Sequence, residues 1–119
     1  MRKATIDVPI YGGELWFVDT NNPDDLRELG IGEDMIPTDD TFTGYAAFKY
    51  HDGIDVNILI LNTANESCDL GVLVHECVHI VNGIFVDVKH TLDPHNDEPQ
   101  AYLTEWVFEE ANRFFKLKK

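Results

Sequence analysis

The sequence predicts an α+β domain: a small antiparallel sheet of about four strands, with two long helices packed on one face. Three features carry this prediction. Two pairs of strand-like runs are joined by short glycine turns, Tyr11-Gly12-Gly13 and His51-Asp52-Gly53. Two later segments, within 70–81 and 97–116, place apolar residues near helical period. The strands precede the long helices instead of alternating with them.

Residues 4–10 and 14–19 read as the first hairpin. A short helix is expected from Asn21 to Gly30. Asn22 or Pro23 starts it, Asp24 and Asp25 suit its positive end, and Gly30 stops it. Residues 31–41, with Gly32, Pro37 and the Asp39-Asp40-Thr41 turn, read as loop. The second hairpin pairs 43–50 with 54–61, and the run Ile58-Leu59-Ile60-Leu61 predicts burial of its later half. Asn62, Thr63, Asn65 and Ser67 offer N-caps for the next helix. Leu70, Leu73, Cys77, Ile80 and Val81 form its stripe, and Asn82-Gly83 is its expected stop. Residues 84–96 then read as loop. The last helix starts at Asp97, tolerates Pro99 in its first turn, and turns Ala101, Phe108, Ala111 and Phe115 inward.

The 119 residues read as one domain, 1–119, of ordinary globular composition, with 44% hydrophobic and 26% charged residues. A formal net charge of −13 argues against nucleic acid and anionic membranes as partners, because both require basic surfaces. It leaves a solvated acidic surface or a basic partner. No apolar run reaches the ~20 residues of a membrane span. The charged start Met1-Arg2-Lys3 is not followed by the apolar stretch of a secretory signal. Cys68 and Cys77 are the only cysteines, and nine residues apart on a helix they would point to opposite sides. A reducing cytoplasm is the expected location.

The chemistry-bearing motif is His75-Glu76-Cys77-Val78-His79, an HExxH pentapeptide. On a helix, residues four apart share a face, so two imidazoles can approach one metal ion. Zinc suits nitrogen ligands, and the adjacent Glu76 can act on a metal-bound water. A catalytic zinc ordinarily takes three protein ligands. His90, His95, Glu98 and Glu105 are the candidates for the third. The chain must turn back before the last helix, and Glu98 sits in that turn, separated from His79 by the eighteen residues Ile80 to Asp97.

HExxH, this spacing and a Glu heading a second helix resemble the gluzincin metallopeptidases. Glu98-Pro99-Gln100-Ala101-Tyr102 is similar to the E-x-x-A segment of compact members, including ImmA-type proteases. The stretch from His75 to Trp106 also resembles small phage-encoded metallopeptidases. The resemblance covers roughly the last 50 residues. It implies that His75, His79 and Glu98 bind zinc (Zn2+) and that Glu76 is the general base. It gives Tyr102, one turn after Glu98, a supporting bond or a donor to the reaction oxyanion. Asn82 and Phe85 stand where the metzincin signature needs Gly and His. SprT-type proteases use a later His, and His95 lies near that distance, so it stays open as third ligand. Glu105, about 10 Å further along the helix than Glu98, cannot share an ion with it.

Plainer readings stand beside these. The two histidines can be ordinary residues of an amphipathic helix. Cys77, two positions from each, reads as a small core residue. Glu109 and Glu110 read as a solvated face, and His51 as a turn residue. Asp39-Asp40 lacks the rest of a calcium loop.

The expectation is a minimal zinc metallohydrolase, a peptidase acting on a protein or peptide substrate. Strand 43–50, with Gly44, Ala46 and Ala47, is the expected edge along which an extended peptide pairs. His95 or Tyr102 would assist the oxyanion. The alternative from another class is a zinc-stabilised binding module, for instance a phage product acting on a host protein in the host cytoplasm without cleaving it.

Overall fold

The two expected glycine turns form, and their backbone angles show why. Asp52 (φ 52°) and Gly53 (φ 81°) both occupy the left-handed region that tight hairpins need. They join β3 (Gly44–His51) to β4 (Ile54–Leu61). The first hairpin joins β1 (Arg2–Asp7) to β2 (Glu14–Asp19). Its turn begins earlier than expected, because the Val8 N–H already closes onto the Gly13 carbonyl at 3.0 Å. Gly13 has φ 79°, and a Cβ there would stand 2.7 Å from the Asp55 carbonyl oxygen. The structure, a computed structural model, describes residues 1–119.

The chain is α+β, with a four-stranded sheet of order β1-β2-β4-β3. Both hairpins are antiparallel, but β2 runs parallel to β4, with Trp16 opposite Ile58. The sheet is therefore mixed, which corrects the antiparallel expectation. After β2 the chain crosses one face of the sheet through α1 (Pro23–Glu28) and a 3-10 turn at Glu33–Met35. It returns as the outer strand β3, and the tight turn then inserts β4 between β3 and β2.

That crossing also covers the second face. Trp16, Val18, Ala47, Ile58 and Ile60 pack there against Leu26, Ile31 and Ile36. On the other face, Leu15, Phe17, Leu59 and Leu61 meet the two long helices. A strand buried on both sides need not alternate, which accounts for the wholly apolar run in β4.

The first long helix, α2, spans Leu70–Asp87 and contains the HExxH residues. Its cap is Asp69, whose side chain accepts from the Val72 N–H at 3.0 Å; none of the four expected caps serves. It runs through Asn82-Gly83 instead of stopping there. Gly83 is needed for close approach: a Cβ would collide with the buried Asn57 side chain of β4. By length and composition α2 is apolar enough to span a membrane, with a mean hydropathy of 1.4. In this fold Leu73, Cys77, Ile80, Val81, Ile84 and Phe85 are instead buried in the core.

The last helix, α3, spans Glu98–Phe115, with Pro99 in its first turn. Asp97 occupies the N-cap position, but its side chain makes no capping bond. The buried stripe is Leu103, Val107, Ala111 and Phe115, so Ala101 is exposed and Phe108 only half-buried. α3 lies beside α2, and α2 lies over β4 and β3. This places the motif-bearing helix along the open edge of the sheet.

Candidate active site

The spacing of four on α2 brings His75 and His79 together on its exposed face. Their Nε2 atoms stand 3.3 Å apart, with ring centroids at 4.9 Å and planes at 73°. Two lone pairs can thus be directed to one point, as a shared cation requires.

Glu76 lies on the flank of α2 that faces β3 and is only 6% exposed. Its Oε1 is 3.8 Å from His75 Nε2. Burial pushes its carboxyl above the ordinary glutamate value, and His75 and His79 pull it partly back. The close seat exists because β3 begins with glycine. A Cβ on Gly44 would stand 2.8 Å from Val72 Cγ1 and 3.0 Å from Glu76 Cγ.

A cavity of about 520 Å³ opens between β3 and α2. Ala46 and Phe48 line one wall, His79, Ile80 and Val86 the other, and Glu76 stands at one end. A second hollow on the far side of Glu76 touches Thr43, Gly44, Val72 and His75. Together they make a groove that follows β3 past the histidine pair. β3 is an edge strand, as expected for 43–50.

The other expected site residues are not drawn in. No group of three or more His, Cys, Asp or Glu side chains is placed to hold a metal ion. Glu98 is exposed at the head of α3 and makes no hydrogen bond to either histidine. Along the helix pairing, Gln100, Ala101, Thr104 and Glu105 of α3 face Val74, Cys77 and Val78, the flank of α2 next to the histidine strip. His95 is exposed, in a turn where its backbone N–H donates to Asp93 Oδ1. His90 packs on Phe85, with ring centroids 4.6 Å apart. Tyr102 is 67% exposed and lies with Pro9, Ile10 and Trp106 against the β1–β2 turn, away from β3. Tyr102, expected to support the site or its oxyanion, is thus not among the residues that line the groove. The chain assembles His75, Glu76 and His79; this set fits two arms of a metal site and its neighbouring base, and leaves the third arm unassembled.

Asn57 was missed in the sequence, although it lines the same cavity, and Asp87 at the end of α2 accepts from its Nδ2. Asn57 was the available signal, as the one polar residue within the apolar body of β4. Cys68 and Cys77 are buried and free, and Cys77 belongs to the core as expected.

No protein-family model, curated protein or solved structure matches this chain.

Proposed function

We propose that this chain is a metallohydrolase of the zinc-dependent class. Within that class we propose a peptidase that acts on an extended peptide laid along β3. The observation that supports it best is the approach of His75 and His79 to 3.3 Å beside the buried Glu76.

In this reading His75 and His79 would hold zinc, and Glu98, exposed at the head of the neighbouring helix, would turn toward them as the third ligand. When bound, zinc would polarise a carbonyl and acidify a water. Glu76 would be the group that accepts a proton from the attacking nucleophile and returns it to the leaving amine. A carboxyl raised by burial suits both halves of that transfer better than an ordinary one. The free edge of β3 offers backbone partners to the substrate, and Gly44 and Ala46 let a second backbone come close. Buried, unpaired thiols at Cys68 and Cys77 agree with a reducing cytoplasm as the working compartment.

The test is metal content followed by hydrolysis. Purified protein supplied with zinc should hold one equivalent. Glu76→Gln should keep the metal and lose cleavage of an unstructured protein substrate. Failure to take up zinc would sink the reading. The unassembled third arm favours one competitor, a zinc-stabilised binding module. Zinc uptake without hydrolysis, and an unchanged biological effect of Glu76→Gln, would decide for it.

A further inference from the structure

The far end of the groove carries polar groups that the hydrolytic chemistry does not use. Asn57 is 3% exposed and borders the cavity from below. Its Nδ2 donates to Asp87 Oδ2 at 2.8 Å, while its Oδ1 accepts no hydrogen bond. Gly83 has no side chain to cover that oxygen. An amide oxygen that accepts from no group of the chain keeps its acceptor capacity free for a donor entering the cavity. Negative charge gathers beside it. Burial raises the Asp87 carboxyl most, and repulsion from Asp55 on β4 raises it further. Neither carboxylate is in an ion pair; the arginines pair elsewhere, with Asp19, Asp24, Glu33 and Glu110. The walls above are apolar and open, with Phe48 62% and Val86 74% exposed.

We propose that this end of the groove is a pocket for a cationic side chain, lysine or arginine, of a peptide lying along β3. The aliphatic stem lies between Phe48 and Val86. The charged tip donates to Asn57 Oδ1 and pairs with the Asp87 carboxylate. Lysine and arginine carry only donors at their tips, which suits the Asn57 oxygen and the Asp87 carboxylate. An acid or amide side chain would bring oxygen against Asp87. The formal net charge of −13 adds a general attraction for basic substrates. The proposal rests on reading the groove as peptide-binding, but it does not require that the peptide be cut.

The experiment therefore measures binding to full-length protein in EDTA, where zinc hydrolysis is absent. Four fluorescent peptides would differ at one position only: lysine, arginine, norleucine or glutamate. Lysine and arginine peptides should bind at least about tenfold more tightly than norleucine, and glutamate most weakly. Asp87→Asn should bring lysine close to norleucine. Asp34→Asn, in the 3-10 turn on the other face, removes the same charge and should leave the preference intact. Equal binding of lysine and norleucine would overturn the pocket and leave the groove standing, as would a loss of preference in both variants. Binding of no peptide would overturn the pocket outright, while zinc content and hydrolysis judge the enzyme separately.

Discussion

Gly44 of the edge strand and Glu76 of α2 lie in contact, and a Cβ on Gly44 would stand 3.0 Å from Glu76 Cγ. The carboxylate is thus held beside the histidine pair by the lack of a side chain across the groove. Gly44→Ala would push on Val72 Cγ1 at 2.8 Å as well. Overpacking of this kind costs about 1–3 kcal/mol. The expected result is a protein that still folds and still takes up zinc, with hydrolysis reduced more than stability. Thermal melts, metal content and cleavage rates measured together check it; unchanged cleavage would show that Glu76 is not positioned by this contact.

Gly83 makes a similar demand inside a helix. Alanine there should gain up to about 1 kcal/mol of helix propensity. The collision of its Cβ with Asn57 outweighs that gain, since Asn57 is buried and tied to Asp87. Gly83→Ala is expected to destabilise the fold by roughly 1–3 kcal/mol. Urea unfolding measures it, and a stabilised variant would contradict the packing.

The same glycine shows where sequence reading stops. Asn82-Gly83 carries a local stop signal, but a helix also uses glycine where another backbone comes close, and only the position of β4 tells the two apart. The hairpin at Asp52-Gly53 was legible because its information is local. The parallel pairing of Trp16 with Ile58 was not, because no turn joins β2 to β4. In the site, the spacing of His75 and His79 was enough to foresee a shared helix face. Where Glu98 and Tyr102 point depends on the rotation of α3 about its own axis. Apolar periodicity over Ala101 and Phe108 placed that rotation differently from the observed Leu103 and Val107 stripe.

Asp87 gives the stability a pH dependence with a definite sign. Burial first, and Asp55 after it, hold its folded carboxyl above the ordinary value of 3.8, against the bond from Asn57. A folded pKa above the unfolded one means that the folded state binds more protons. The stabilising contribution is full below the unfolded value and is lost as pH rises through the folded one. In EDTA, Asp87→Asn should therefore melt higher than wild type at pH 7, and the gap should close as pH falls below the ordinary 3.8. Melting curves of both proteins from pH 3 to pH 7 test it; a variant less stable at neutral pH would reverse the sign.

The thiols should be silent in the folded protein. Burial pushes Cys68 up to about 11 and Cys77 up to about 12, with nearby carboxylates adding to both. Thiolate is the reactive form, so neither should react at neutral pH until the chain opens. An aromatic disulfide reagent should label no thiol in native protein and both in guanidinium. Rapid native labelling of Cys77 would mean that the α2 core opens locally, and would weaken the rigid placement of His75 and His79.

Zinc should stabilise the fold through α2. A ligand that binds only the folded state adds RT ln(1 + [L]/Kd), about 2.7 kcal/mol at a hundredfold excess over Kd. His75 and His79 both belong to the helix that packs on β4 and β3, so metal binding reports on the whole domain. Wild type should melt higher with zinc and return to its starting value with EDTA. His79→Ala should abolish the shift with little change in the metal-free melt, because His79 is exposed and its loss leaves no cavity. Glu98→Ala should weaken the shift without removing it, since two imidazoles remain. The same loss from His95→Ala, with Glu98→Ala unchanged, would transfer the third arm to His95. A zinc shift that survives His79→Ala would place the metal elsewhere and remove the basis for Glu76 as its base.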